Sequence, residues 1–198
     1  MRIKDVMTSP VVTVTPTTRL KQAAALLVRH GFNAVPVVDE GDLVGIVSEA
    51  DLLGLESAPD PRANARRWPA PATRVPHLVG EVMTREVLAL PPDADAAEAA
   101  RLMLDRGVKS IPVVVSRRVV GIVTRRDLLS VLARSDPAIR AEVKRLLDEE
   151  LGDGGRQVEV ADGVVTLTGF DPGRESELAA LLARTVPGVV EVQVTATP

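Results

Sequence analysis

The chain contains the same unit twice. Residues 7–53 align with residues 83–129 over 47 positions without a gap, and every partner lies 76 residues further on. The matching segments include Met-Thr at the start, Pro-Val-Val at 36–38 and 112–114, Val-Gly-Ile-Val at 44–47 and 120–123, and Asp-Leu-Leu at the end. A duplication this regular predicts two similar units that pack about a pseudo-twofold axis and leave paired clefts between them. We therefore look for function in those clefts.

Composition limits the chemistry that the chain can carry. It is 45% hydrophobic but has only two Phe, one Trp and no Tyr, so the core must be built from Val, Leu, Ile and Ala. That composition is typical of an α/β fold with short strands and Ala-rich helices. The absence of Cys excludes disulfides and thiolate metal sites. No apolar run has the length of a signal sequence or a membrane span, so we expect a cytoplasmic protein.

Charge is unevenly distributed along the chain. From residue 136 onward there are 12 acidic and 6 basic residues, whereas residues 1–135 carry a net charge of +3. The acidic end would repel nucleic acid and anionic lipid, and the small positive excess is too weak to indicate a nucleic-acid partner. It can still be concentrated locally around a phosphate group.

The hydrophobic period changes in the same order in both copies. The first copy predicts a strand at 11–15, a helix capped by Thr17 or Thr18 and ended by Gly31, a hairpin that turns at 40–41, and a second helix from about Glu49. The second copy repeats this with a strand at 87–90, a helix from Asp93 to 106–107, a hairpin over 110–124 and a helix over 125–134. Each copy is thus predicted to be a β-α-β-β-α unit.

A segment rich in proline and arginine, residues 57–76, joins the copies. Its five prolines prevent a continuous helix or strand. One interpretation is a solvated linker whose Trp68 packs on a neighbouring surface. The other is a basic segment that folds over a bound anion.

The chain from residue 136 onward no longer follows the repeat. Apolar spacing predicts a helix over 139–151, and Asp162-Gly163 between two alternating segments predicts a hairpin. A helix over 175–185 and a strand over 189–195 complete a small α-β-β-α-β module. The expected domains are therefore 1–56, the linker 57–76, 77–135 and 136–198.

A hydroxyl and a carboxylate stand three residues apart where each hairpin meets its second helix. They are Ser48 and Asp51 in the first copy and Thr124 and Asp127 in the second. One interpretation is a capping box, in which both groups satisfy the helix N-terminus. The other is a nucleoside clamp, in which the carboxylate accepts hydrogen bonds from ribose hydroxyls and the helix start holds a phosphate. Spacing alone leaves both open.

The element order, the Pro-Val-Val segments and the closing Gly-Ile-Val-Thr-Arg-Arg-Asp-Leu-Leu resemble the cystathionine β-synthase (CBS) domain, and two tandem copies resemble the CBS pair, or Bateman module. The resemblance implies a regulatory module that binds AMP, ADP, ATP or S-adenosylmethionine in clefts between the copies. It makes Ser48/Asp51 and Thr124/Asp127 the phosphate and ribose contacts. It also implies residues that border the base: Asn33, Ala34, Val35, Lys109, Ser110 and Ile111.

The C-terminal module resembles the BON domain. The resemblance rests on Val-Val-Thr-Leu-Thr-Gly at 164–169 and on Val-Pro-Gly-Val at 186–189, which leads into the last strand. Many BON domains are linked to membranes or cell envelopes. The acidic charge of this module favours a contact with a protein partner instead.

The two clefts are predicted to differ in charge. Arg125 and Arg126 follow Thr124, and Arg117-Arg118 occupy the second hairpin turn. In the first copy Glu49 and Ala50 follow Ser48, and the turn reads Asp39-Glu40-Gly41-Asp42. We therefore expect the Thr124/Asp127 cleft to prefer a phosphorylated ligand, unless these arginines simply point to solvent.

Nothing in the sequence indicates catalysis. No His pair has metal-binding spacing, no nucleophile has an evident base, and phosphate-loop patterns are absent. We expect a non-enzymatic sensor that requires no cofactor, forms a homodimer through its CBS helices and acts on a protein partner through the BON module. The alternatives are a ligand-free homodimeric scaffold and an envelope or lipid adaptor led by the BON module.

Overall fold

The two copies share one four-stranded sheet in the computed structural model, which describes residues 1–54, 76–152, 154–171 and 173–195. The elements of the first copy are α1 (Leu20–His30), β1 (Ala34–Asp39), β2 (Asp42–Ser48) and α2 (Glu49–Leu53). Those of the second are α3 (Ala96–Asp105), β3 (Ser110–Val115), β4 (Arg118–Thr124) and α4 (Arg125–Leu132). The strand order is β1-β2-β4-β3, so two hairpins meet back to back. The mixed α/β class is confirmed.

The proline- and arginine-rich segment falls almost entirely outside the described residues. Both interpretations of it, the linker with a packed Trp68 and the basic segment over an anion, therefore remain predictions.

Both hairpins close through two-residue turns with left-handed backbone at both central positions. Glu40 and Gly41 have φ of 49° and 92°, and Ser116 and Arg117 have φ of 48° and 71°. This is the geometry that matches the twist of the flanking strands. Gly31 ends α1 with φ 64°, as predicted.

The prediction of a first strand in each unit is wrong. Residues 11–15 and 87–90 make no ladder; Val14 forms a single bridge to Val37, and Leu90 forms one to Val113. Prolines border both segments, and a proline ring has no N–H to donate to a ladder.

The predicted starts of the first helix in each copy are also wrong by a few residues. Helix α1 has Arg19 as its N-cap, and α3 has Asp95. The Thr18 hydroxyl does not cap α1, because its oxygen accepts a hydrogen bond from the Thr15 backbone N–H at 3.0 Å.

The opening segment of the chain packs on the second copy. Ile3 is fully buried in the second copy's core, beside Met103 and Ile111. Its backbone N–H donates to the Ala94 carbonyl at 2.9 Å. At the surface Lys4 binds Asp93 at 2.9 Å, and its ammonium holds the pKa of that carboxyl below the usual value.

The corresponding segment of the second copy packs on the first. Val79 is fully buried in the core that contains Val14 and Leu27. The Val79 N–H donates to the Thr18 carbonyl at 2.9 Å. The two copies have therefore exchanged their opening segments, and neither core is complete without the other copy.

A methionine lies on a glycine at both crossing points. A Cβ at Gly45 would lie 2.6 Å from Met83 Sδ and 3.1 Å from the Thr84 carbonyl oxygen. A Cβ at Gly121 would lie 2.6 Å from Met7 Sδ. Only glycine lets the exchanged segments approach the strands this closely.

The C-terminal module is a three-stranded sheet with two helices. Its elements are α5 (Asp136–Leu151), β5 (Gln157–Ala161), β6 (Val164–Thr168), α6 (Arg174–Ala183) and β7 (Glu191–Thr195). Strands β5 and β6 pair antiparallel around Asp162-Gly163, and β7 pairs parallel to β6. The predicted α-β-β-α-β order is confirmed, although α5 begins three residues earlier than its apolar stripe.

Contacts of Arg134 and Gly188 join this module to the second copy. Arg134 donates to the Pro187 carbonyl at 2.8 Å and to Glu142 at 2.5 Å. Gly188 lies so close that an added Cβ would be 3.1 Å from the Val131 carbonyl oxygen of α4. The last turn of α4 is thus in contact with the loop before β7.

Gly45→Ala should lower the free energy of unfolding by about 1–3 kcal/mol, because the new methyl group overpacks the crossing point against Met83 and a backbone carbonyl. Urea denaturation with fluorescence or circular dichroism would measure it. Gly54→Ala is the matched control, since Gly54 is in helical conformation and, among the described residues, an added Cβ would meet no atom nearer than 3.4 Å. Equal stabilities of the two variants would contradict the close-approach argument.

Candidate functional site

Each predicted clamp is a capping box in the structure. Asp51 Oδ2 accepts from the Ser48 backbone N–H at 2.7 Å and from its hydroxyl at 2.6 Å. Asp127 Oδ2 accepts from the Thr124 N–H at 2.8 Å and from its hydroxyl at 2.7 Å. The N-termini of α2 and α4 are therefore capped with the same geometry in both copies.

The capping geometry engages only one oxygen of each carboxylate. Across the described ranges, the other oxygen of Asp51 and of Asp127 makes no hydrogen bond. Both side chains are half-buried, and both line a cleft. A carboxylate oxygen can accept two hydrogen bonds, so the cap and the clamp are compatible. Helix capping and ribose binding, which the sequence leaves as alternatives, can therefore coexist in one residue.

The larger cleft, here named the Asp51 cleft, has a volume of about 740 Å³. Ser48, Glu49 and Asp51 line it from the first copy. Its opposite wall comes from the second copy and includes Thr84, Glu86, Leu88, Arg106, Lys109 and Ser110. The volume is within the range of small-molecule sites.

The smaller cleft, here named the Asp127 cleft, has a volume of about 190 Å³. Thr124, Arg126 and Asp127 line it from the second copy, and the opposite wall comes from the first copy. That wall includes Thr8, Pro10, Val12, His30, Phe32 and Asn33.

The two clefts are the same site with different residues on the opposite wall. At positions 76 residues apart, the Asp127 cleft has His30, Phe32 and Asn33, whereas the Asp51 cleft has Arg106, Val108 and Lys109. His30 and Phe32 stack with ring centroids 4.9 Å apart. The larger cleft has Val108 at the place where the smaller one has Phe32.

The structure places only one of the four arginines that predicted the charge difference at the Asp127 cleft. Arg126 lines it. The Arg125 side chain lines neither cleft, because its guanidinium donates to the carbonyls of Met103 and Val108 at 2.8 and 3.0 Å. Arg117 pairs with Asp42 at 2.9 Å at the hairpin turns, beside Arg118. The Arg125 guanidinium thus binds backbone carbonyls of its own copy, and its phosphate contact stays a prediction.

The predicted base-bordering residues are divided between the clefts. Asn33 and Ala34 line both, Val35 lines the Asp127 cleft, and Lys109 and Ser110 line the Asp51 cleft. Ile111 is fully buried and lines neither. The sequence analysis missed the walls at 84–88 and at 8–12, whose place follows from the segment exchange that no local pattern reveals.

A profile of the CBS domain matches residues 3–57 and 79–134, together more than half of the 198 residues. The chain belongs to the CBS-domain family. A profile of the BON domain matches residues 135–197, so two CBS domains are followed by a BON domain. Both resemblances drawn from the sequence are confirmed.

Similar proteins support the assignment of the CBS pair. The chain is 32% identical to the CBS domain-containing protein YhcV of Bacillus subtilis over 126 residues, which are 64% of this chain and 81% of that protein. Other curated relatives extend well beyond the shared region, since the match spans 37% of one and 47% of another.

Two solved structures that resemble this chain contain adenosine compounds. The pair of protein MJ0100, in complex with 5′-methylthioadenosine and S-adenosyl-L-methionine, is 29% identical with a TM-score of 0.56 and covers 67% of this chain and 96% of that chain. CBSX2 in complex with AMP is 29% identical with a TM-score of 0.54 and covers 65% of this chain and 93% of that chain.

The described ranges contain neither a cluster of metal-binding side chains nor a helix that could span a membrane. Nowhere in them do three His, Asp or Glu side chains converge to hold a metal ion. Every helix in these ranges is too short or too polar to cross a bilayer.

Proposed function

We propose that this protein is a non-catalytic cytoplasmic sensor whose CBS pair binds an adenosine-containing ligand and whose BON domain passes the state of the pair to a protein partner. The ligand class comprises AMP, ADP, ATP and S-adenosylmethionine, and no cofactor is required. The observation that carries the proposal is the Asp51 cleft of about 740 Å³, where one carboxylate oxygen accepts no hydrogen bond from any residue that the structure describes. The adenosine compounds in the MJ0100 and CBSX2 structures support this ligand class.

We assign the main ligand site to the Asp51 cleft because of its size and its opposite wall. The Asp127 cleft, at about 190 Å³, is smaller than a typical small-molecule site and contains the stacked His30 and Phe32. The charge of the Asp51 cleft is mixed, since Arg106 and Lys109 face it together with Glu49 and Glu86. Such a wall suits a monophosphate or a tail with both charges better than it suits a triphosphate.

Asp51→Asn should weaken binding of AMP or S-adenosylmethionine by about tenfold or more, because the ribose hydroxyls lose a charged acceptor. Asp127→Asn should change the affinity by less than about threefold if the smaller cleft is secondary. Asn keeps one oxygen that can accept from the N-cap, so both variants should fold. Isothermal titration calorimetry would measure the affinities, and the reverse order of effects would contradict the assignment.

Helix α4 connects the wall that the second copy gives to the Asp51 cleft with the BON domain, since the Arg125 N–H at its start donates to the Lys109 carbonyl at 3.1 Å. It begins with Thr124 as its N-cap, and its last turn is in contact with Gly188. The next residues carry the Arg134 hydrogen bond to Pro187. Because α4 has only eight residues, a tilt of its first turn also displaces its last. A ligand that favours one orientation of the copies would thereby favour one position of the BON domain, with a coupling of about 1–3 kcal/mol.

Arg134→Ala should separate ligand binding from the displacement of the BON domain. We expect AMP or S-adenosylmethionine to reduce amide hydrogen exchange over residues 186–190 in the native protein. The variant should lose that reduction and keep its affinity within about twofold, since Arg134 lines neither cleft. Arg140→Ala removes an exposed cation from α5 and serves as the control. A ligand response that persists in Arg134→Ala would argue against this route.

A second copy of the chain is the proposed partner of the CBS helices. Large apolar residues are exposed at equivalent positions of both copies: Val28 is 84% exposed and Leu104 73%, and Leu53 is 68% exposed and Leu129 63%. Helix α1 packs beside α2, and α3 packs beside α4, so each copy presents one apolar patch. Exposed apolar area of this kind is typical of an interaction surface. The same patches favour the ligand-free homodimeric scaffold as the second candidate function.

Leu104→Glu should convert a dimer into a monomer, because the charge would be buried in the interface without a partner. Light scattering after gel filtration would give the mass. Leu181→Glu in the BON domain is the control, since Leu181 is also exposed but lies outside the CBS pair. A native protein that runs as a monomer would remove the dimer from the proposal. A stable dimer that binds none of the adenosine compounds would favour the scaffold.

A further inference from the structure

The two edges of the BON-domain sheet differ in protection. The strand order is β5-β6-β7, so among the described residues β5 and β7 each pair on one side only. At the β5 edge, Arg140 and Lys144 of α5 line a surface groove together with Val160. Charged side chains beside an edge strand are one of the ways in which proteins prevent the addition of another strand. The β5 edge is therefore protected.

The β7 edge lacks this protection. The strand contains neither Lys nor Pro, which commonly block an edge. Its apolar side chains are incompletely covered, since Val190 just before it is 69% exposed and Val194 is 39% exposed. Val194 lies on the same face of the sheet as the buried Val192, because side chains two residues apart share a face. An apolar rim thus runs along β7.

The main chain of β7 offers hydrogen-bonding groups at this open edge. The Val190 N–H donates to the Gly163 carbonyl at 2.9 Å. The N–H groups of successive residues point alternately to the two edges of a strand, so those of Val192 and Val194 face β6. The groups of Glu191 and Gln193 point to the other edge, where no described residue forms a hydrogen bond with them.

The charge of the sheet indicates which strand would fit there. The three strands contain two Glu, Glu159 and Glu191, and neither Lys nor Arg. The Glu191 carboxylate accepts a hydrogen bond from the Gln193 side chain at 3.0 Å and, within the described ranges, pairs with no cation. A strand with cations on the face of Glu191 and apolar side chains on the face of Val194 is complementary to both.

A second copy of the chain is a less suitable occupant of this edge. The residues from 136 onward carry 12 acidic and 6 basic side chains. Pairing of β7 with β7 of a second copy would bring two such acidic modules together.

We propose that β7 is the docking edge of the BON domain and that it binds an extended segment of a protein partner in which apolar and cationic residues alternate. The segment adds a fourth strand to the sheet and covers Val190 and Val194. Gly188, which lies against the Val131 carbonyl of α4, is only three residues before Glu191. The assignment therefore rests on the proposed function and adds the place and the chemistry of the partner contact.

Two synthetic peptides test this edge in the full chain. One alternates Lys and Val over about seven residues, and the other alternates Glu and Val over the same length. The Lys-Val peptide should bind at least about tenfold more tightly, because its cations face Glu191 and Glu159. Isothermal titration calorimetry would measure both affinities. Equal affinities, or no binding of the Lys-Val peptide, would overturn the proposal.

Gln193→Pro removes a main-chain N–H from the open edge and leaves the N–H groups that face β6 in place. Edge strands tolerate proline at such positions. The variant should bind the Lys-Val peptide at least about tenfold more weakly. Gln193→Ala is the matched control, since it also removes the side chain but keeps the N–H, and its affinity should stay within about threefold. Native affinity in Gln193→Pro would contradict strand addition at β7.

Glu191→Lys tests the same edge without a change in the main chain. It should abolish or reverse the preference for the Lys-Val peptide, whereas Glu159→Lys, the same charge change on the protected edge strand, should keep a preference for it. In the native protein the bound peptide should slow amide hydrogen exchange at Glu191 and Gln193. Slowing confined to residues 157–161 would place the peptide at the wrong edge and overturn the assignment.

Light scattering without peptide separates a partner segment from a second copy. The native chain and Gln193→Pro should have the same mass. A mass that halves in the variant would show that a second copy occupies the edge, and the proposal would fail.

The adenosine compounds separate failure of the docking edge from failure of the proposed function. Saturation with AMP or S-adenosylmethionine should change the affinity for the Lys-Val peptide by about fivefold or more, and Arg134→Ala should lose that change. Peptide binding at β7 that neither compound alters would support the docking edge and contradict the proposed relay. Binding of an adenosine compound without binding of the peptide would remove the docking edge and leave the sensor.

Discussion

The exchange of opening segments between the two copies is the constraint on which the rest of the structure depends. Ile3 completes the core of the second copy, and Val79 completes the core of the first. Separating the copies would expose both side chains and break the backbone hydrogen bonds that accompany them. The pair therefore behaves as one folded body. The same crossing carries the segments after Met7 and Met83 over the edges of the partner copy, where they become walls of the clefts.

Local chemistry allowed much of the fold to be predicted from the sequence. The repeat, the hairpins and Gly31 as a helix end depend on residues that are near one another in the chain. The strand predictions at 11–15 and 87–90 failed for a different reason. β-Branched residues favour a strand, but the flanking prolines leave only one bridging residue in each segment. The segment exchange has no local signal at all, since Ile3 and Val79 look like ordinary apolar residues until their cores are known.

The sequence predicted several residues of the site but not how the two copies arrange them. Asp51 and Asp127 were identified by their recurrence, and both line clefts. The difference between the clefts was sought in residues adjacent in sequence, such as Arg125, whose guanidinium instead binds carbonyls of its own copy. The difference lies in the walls that the opposite copy supplies. Phe32 stands on the wall of one cleft, whereas Val108 stands at the equivalent place of the other.

The double use of each aspartate has a consequence for how such chains evolve. One oxygen of Asp51 and of Asp127 caps the start of a helix. Selection for a stable fold would therefore retain both residues even in a descendant that no longer binds a ligand. Retention of this motif among related chains is therefore weak evidence that they still bind a nucleotide.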